Sequence, residues 1–156
     1  MKKLIVFYSY GGNTKKIAGM IADKTGGDLL RIETEIPYSG TYDEVVAQGQ
    51  EETEKGYMPK IKPLGLSEYD EIYLGTPVWW YTFAPAVRTF LAENDLSGKT
   101  IYPFATNGGW IGHTFADIRK ACPHSDVKRG LDIRFDEHTL RMPERDIEDW
   151  IIKTKG

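Results

Sequence analysis

The sequence has almost no cysteine. Cys122 stands alone among 156 residues, so no internal disulfide can form. Such a chain suits a reducing compartment. Long apolar runs are also missing, and none approaches the roughly 20 residues needed to span a bilayer. The run Leu4-Ile5-Val6-Phe7 ends at Tyr8-Ser9-Tyr10-Gly11-Gly12. That is too soon for a signal-peptide core, and no small-residue cleavage site follows, so a cytoplasmic protein without membrane insertion is expected. Neither sign of charge dominates: 20 basic against 23 acidic residues leave a net charge of −3. With no long run of one sign, nucleic acid and anionic membranes are poor partners. No His, Cys, Asp or Glu cluster has metal-ligand spacing. No nucleophile–His–acid set, internal repeat, linker or low-complexity tract is readable either.

What is present fits one domain over residues 1–156, with 40% apolar and 28% charged residues. Strand-length apolar runs alternate with helix-period segments. Leu4–Tyr8, Leu29–Ile32, Ile72–Gly75, Ile101–Ala105 and a stretch within Val127–Phe135 read as strands. Thr14–Thr25, Tyr42–Lys55, Ala84–Ala92, Thr114–Ala121 and Pro143–Lys153 read as helices. Thr114-x-x-Asp117 looks like a capping box. A βα unit repeated five times implies a parallel sheet with helices on both faces. Pro103, inside the fourth strand, lacks an N–H for the ladder and predicts a local irregularity. The least ordered stretch is expected at Gly56–Ser67.

Ligands of open α/β sheets bind beyond the carboxyl ends of the strands. Three loops leave such ends. The first, Ser9-Tyr10-Gly11-Gly12-Asn13-Thr14, offers two glycines, short polar side chains and the free N–H groups of a helix start. That combination makes an anion cradle of neutral donors, with Lys15 and Lys16 able to remain in water. It is neither a Walker loop nor G-x-G-x-x-G. The second, Thr76-Pro77-Val78-Trp79-Trp80-Tyr81-Thr82, sets two tryptophans where a flat ligand could lie. One of them is expected to pack under the third helix and the other to border the ligand. The third, Thr106-Asn107-Gly108-Gly109-Trp110, allows close backbone approach, with Thr106 and Asn107 able to hydrogen-bond polar ring atoms. Together the loops point to one aromatic, phosphorylated ligand.

These motifs resemble a known family. Ser9-x-Gly11-Gly12-Asn13-Thr14 is similar to the phosphate loop of flavodoxins. Gly75-Thr76-Pro77-Val78-Trp79-Trp80 and Phe104-Ala105-Thr106-Asn107-Gly108-Gly109 resemble segments of a short bacterial flavodoxin-like subfamily, and the likeness covers essentially the whole chain. The resemblance implies an α/β three-layer sandwich with a five-stranded parallel sheet of order 2-1-3-4-5. It also implies non-covalently bound flavin mononucleotide (FMN). By that pattern Ser9, Gly11, Gly12, Asn13 and Thr14 hold the phosphate. Pro77, Val78, Trp79, Trp80, Thr106, Asn107, Gly108 and Gly109 surround the isoalloxazine ring. The paired glycines 108–109 are the expected place for a peptide that rotates with the oxidation state. Gly11 departs from the pattern, because the family often carries Ser or Thr there. The mild charge departs from the strongly acidic electron carriers. The implied role is electron transfer with redox partner proteins. Alternatives are an FMN-dependent NAD(P)H oxidoreductase acting on quinones or similar small acceptors, and a non-catalytic flavin-binding sensor or interaction domain.

Other residues are set aside. His113 could approach the ligand, but helix-start histidines are usually solvated. His124 and His138 sit in polar loops with no expected role. Cys122 reads as a packed apolar residue. Glu51-Glu52-x-Glu54 reads as a solvated helix face, and Tyr38 and Tyr42 as possible rim residues around Gly40.

Overall fold

The computed structural model describes residues 2–66 and 68–155. Ser67, at the end of the stretch expected to be least ordered, lies outside the described residues. In chain order the elements are β1 (Lys3–Phe7), α1 (Asn13–Thr25), β2 (Asp28–Arg31), α2 (Tyr42–Lys55), β3 (Glu71–Trp79), β4 (Thr82–Phe83), α3 (Pro85–Glu93) and β5 (Thr100–Asn107). They continue with α4 (Thr114–Ala121), β6 (Asp126–Val127), β7 (Leu131–Asp136), β8 (Thr139–Leu140) and α5 (Glu144–Lys155).

The apolar runs become strands buried on both faces. In β1, Leu4 and Val6 enter one core while Ile5 and Phe7 enter the other, the period-2 alternation of a pleated strand. The first core lies under α3 and α4, through Val87, Phe90 and Ile118. The second lies under α1 and α5, through Ile17, Ile21, Ile147, Trp150 and Ile151. Helix boundaries follow local chemistry. The hydroxyl of Thr41 accepts from the Glu44 amide at 3.2 Å, and the Glu44 carboxylate accepts from the Thr41 amide at 3.4 Å, a full capping box at the start of α2. The capping box expected at Thr114 is not formed. His113 occupies the cap position, and the Thr114 hydroxyl instead donates to the Ile111 carbonyl at 2.6 Å.

The sheet holds eight strands among the described residues, running β2-β1-β3-β5-β7-β8, with β4 paired to β3 and β6 to β5. The five strands of the sequence reading are therefore too few. Pairing along β2-β1-β3-β5-β7 is parallel. The three added strands are two residues long each, and β4 and β8 fold back antiparallel as hairpin arms. Pro103 explains one addition. It pairs in register with Leu74 of β3, so β5 is unbroken. The irregularity lies in its other neighbour. Ile101 accepts from the Lys128 amide at 2.8 Å on that side, and by alternation Pro103 faces the same way with no N–H to give. The partner chain detaches there, separating β6 from β7. No helix among the described residues is long and apolar enough to cross a membrane.

Candidate functional site

The carboxyl ends of β1, β3 and β5 meet on one edge, and direct contacts join the segments that leave them. The Thr14 and Thr106 hydroxyls share a buried hydrogen bond of 2.8 Å, linking the first and third segments. The Tyr10 and Trp79 rings meet edge to face at 6.1 Å, linking the first and second. The His113 amide donates to the Tyr81 carbonyl at 2.8 Å, and Tyr81 and Trp110 lie 4.9 Å apart, linking the second and third. Ser9, Gly11, Gly12, Asn13, Thr14, Pro77, Val78, Trp79, Trp80, Thr106, Asn107, Gly108 and Gly109 lie on the three segments that these contacts join.

The first segment turns through Gly11 at φ +88° and Gly12 at φ +100° into α1. The Lys15 amide donates to the buried Ser9 hydroxyl at 3.2 Å, and the Lys16 amide to the Gly12 carbonyl at 3.0 Å. Among the described residues, the amides of Gly11, Gly12, Asn13 and Thr14 meet no protein acceptor. Four donors at one helix start favour an anion. Arg31 donates to the Ser9 carbonyl at 3.0 Å from behind the loop.

The second segment is not a loop. β3 continues through Trp79 and returns as β4, pairing Trp79 with Thr82 and Val78 with Phe83. Trp80 and Tyr81 form the two-residue turn at φ +51° and +71°, the sign pattern of a type I′ turn. Two aromatic side chains in the left-handed region cost of order 1 kcal/mol each or more, so the surroundings must hold them. The Tyr81 carbonyl is bonded to His113, and the Thr82 hydroxyl donates to Asp117 at 2.5 Å. Asp117 also bonds His113 Nδ1. Trp79 packs between Tyr8, Tyr10 and Tyr38, with ring centroids 5.9, 6.1 and 5.3 Å away. It rests on α2 at Gly49, where an added Cβ would lie 3.1 Å from the indole. Trp79 touches α2 and packs against the first core, which includes Val87 and Phe90 of α3, while Trp80 stands exposed at the turn.

The third segment also departs from expectation. The Thr106 hydroxyl is taken by Thr14. The Asn107 amide donates to Asp132 at 2.5 Å, and its oxygen accepts from the Gly109 amide at 2.9 Å. Both side chains are hydrogen-bonded within the protein. Gly108 and Gly109 have no positive φ, and an added Cβ would meet nothing within 4 Å. The strained peptides of the rim are at Trp80–Tyr81, not at the paired glycines.

Beside the second segment lies a cleft of about 360 Å³ lined by Tyr10, Tyr42, Val45, Val46, Val78, Trp79 and Trp80. In a separate cavity of about 420 Å³, the Tyr38 hydroxyl donates to Glu52 at 2.6 Å, and Gln48 donates to the other carboxylate oxygen at 2.8 Å. Burial first, and Glu52 second, push the Tyr38 phenol above its usual range. Burial does the same for Tyr8. Glu52 is therefore a buried acceptor, not part of a solvated face. Burial also pushes the Cys122 thiol up to about 11, which leaves it inert. No metal-ligand cluster exists among the described residues.

Sequence reasoning missed His138. In the turn between β7 and β8, its Nδ1 lies 3.1 Å from Asn13 Oδ1, while the Asn13 amide donates to the Glu137 carbonyl at 2.7 Å. A separation of 125 residues left no signal for this contact.

The flavodoxin family model matches residues 2–153. Solved structures share the fold. A candidate flavoprotein from Bacteroides eggerthii is 28% identical, with a TM-score of 0.83 over 99% of this chain and 98% of that one. Another from Bacteroides uniformis is 25% identical, with a TM-score of 0.84 over 97% of each chain. A flavoprotein from Lactobacillus acidophilus, crystallised with FMN, is 21% identical, with a TM-score of 0.75 over 96% of this chain and 97% of that one.

Proposed function

The chain belongs to the flavodoxin family, and from that premise we propose that it binds FMN non-covalently on the three-segment rim and carries electrons between partner proteins. One observation carries the reading: four acceptor-less amides at the start of α1 stand on the same edge as the Trp79–Trp80 hairpin. The donor set fits a phosphate. The amides of residues 11–14 meet no protein acceptor among the described residues, and the Ser9 hydroxyl, which accepts from Lys15, still has its proton to donate. The apolar and aromatic surface beside them fits a flat ring. A relative with the same fold was crystallised with FMN.

When bound, FMN supplies the capacity to take up and release one or two electrons. The protein's part is binding and orientation. Amides 11–14 neutralise the phosphate, the Thr14–Thr106 bond fixes the first segment against β5, and the clamped turn 80–81 gives the ring a wall that does not collapse. The exposed Trp80, Tyr81 and Trp110 leave a rim where a partner protein can dock.

The cleft beside the hairpin favours a second reading, in which a small planar acceptor such as a quinone enters next to the ring. Mixing the protein with FMN, removing the excess and recording the absorption spectrum tests the shared claim. Steady-state oxidation of NADH or NADPH with a quinone separates the two roles. Turnover supports the oxidoreductase, and its absence beside retained flavin supports the carrier.

A further inference from the structure

We propose that the imidazole of His138 is the cationic partner of the flavin phosphate and makes the site prefer FMN to riboflavin. The inference rests on the FMN reading and adds a residue from the far end of the chain. The β7–β8 turn sits on the phosphate loop through two bonds. Asn13 donates from Nδ2 to the Glu137 carbonyl at 2.7 Å, and Asn13 Oδ1 meets His138 Nδ1 at 3.1 Å. The first bond settles the second. Because the Asn13 nitrogen donates to a carbonyl, its oxygen is an acceptor, and His138 Nδ1 must carry the hydrogen. The ring reaches the glycine turn, with Cε1 3.9 Å from where a Cβ on Gly11 would stand. Gly11 and Asn13 are two of the four residues whose amides lack acceptors.

Other charged groups near the loop are placed differently. Arg31 is committed to the Ser9 carbonyl, and the small cavity it lines includes none of residues 11–14. Lys15 and Lys16 are exposed on the first turn of α1, and Glu137, the acidic neighbour, is exposed on the turn itself. Among the described residues, His138 is bonded by its side chain to Asn13 of the amide cluster, whereas Arg31 reaches only Ser9. Glu137 holds φ +54° in this turn, a conformation costly for a residue with a Cβ and stabilised here by the Asn13 bond to its carbonyl. Phosphate recognition is thus shared between a neutral cradle and one imidazole.

The test compares FMN and riboflavin, which differ only in the phosphate, by flavin fluorescence titration of wild type, His138→Gln and His138→Lys. His138→Gln can still donate to Asn13 but carries no charge. It is expected to lose FMN affinity by about tenfold, as for a hydrogen bond between charged groups, with riboflavin affinity unchanged. His138→Lys is expected to keep most of the preference. A glutamine variant with the wild-type FMN-to-riboflavin ratio, an equal loss of both flavins, or a lysine variant as poor as glutamine would each overturn the inference while leaving the FMN reading standing. A wild-type protein that binds neither flavin would overturn the FMN reading and this inference with it.

Discussion

Gly112→Ala should destabilise the protein by about 2–3 kcal/mol. Gly112 has φ +58°, and a Cβ there would lie 2.3 Å from the Tyr81 carbonyl oxygen and 2.6 Å from Tyr81 Cα. Adopting the left-handed region costs an alanine roughly 1–2 kcal/mol. The overlap is with backbone, which cannot swing aside as a side chain can. Relieving it means separating residues 111–113 from the 80–81 turn, and so stretching the 2.8 Å bond from the His113 amide to Tyr81. That loss adds about 1 kcal/mol. In a chain of this length the melting temperature should fall by roughly 4–12 °C. Gly109→Ala is the control. Gly109 has no positive φ and no neighbour for a Cβ within 4 Å, so its variant should lie within about 0.5 kcal/mol of wild type. Urea unfolding of both apoproteins, followed by far-ultraviolet circular dichroism, measures the difference. If the two variants lose equal stability, or Gly112→Ala loses none, the clamp on the Trp80–Tyr81 turn is misassigned.

Thr14→Ala should weaken FMN binding by about 1–2 kcal/mol in an equilibrium titration, through the lost Thr106 bond and a less fixed helix start; Lys15→Ala should cost less, and the reverse ranking would contradict a cradle built on amides and hydroxyls. FMN binding should quench tryptophan fluorescence, and Trp79→Ala or Trp80→Ala should remove part of that quenching; unchanged quenching in both variants would put the ring elsewhere. Alkaline stability should fall from pH 10 upward. The hydrogen bond to Asp28, with burial second, pushes the Tyr69 phenol up to about 12. The folded state therefore keeps a proton that the unfolded state releases near pH 10, and stability drops as pH rises through that window. Tyr69→Phe should flatten the drop between pH 10 and about 12 in urea midpoints taken across pH; an identical slope would refute the assignment.

The helices were legible because their signals are local. Tyr42–Lys55 and Thr114–Ala121 begin and end where periodicity and flanking residues put them. The hairpins were not legible. Trp80–Tyr81 and Glu137–His138 turn without Gly or Asn at the positive-φ positions, so the usual turn chemistry is absent and only tertiary bonds hold the chain there. β3 consequently read as a strand ending at Gly75, although its ladder runs on to Trp79. The site residues were readable as three clusters, but not their internal pairing. Side-chain bonds such as Thr14–Thr106, Asn107–Asp132 and Asn13–His138 join segments 25 to 125 residues apart. Such pairs depend on sheet order and register, which local pattern does not encode.

The central claim is that one FMN binds on the rim formed by residues 9–14, 77–81 and 106–110. Isothermal titration of apoprotein with FMN, for wild type and Thr14→Ala side by side, tests it most directly. The account predicts one flavin per chain for wild type and roughly 5–30-fold weaker binding for the variant, the equivalent of about 1–2 kcal/mol. No heat of binding with wild type, or binding that Thr14→Ala leaves untouched, would contradict it.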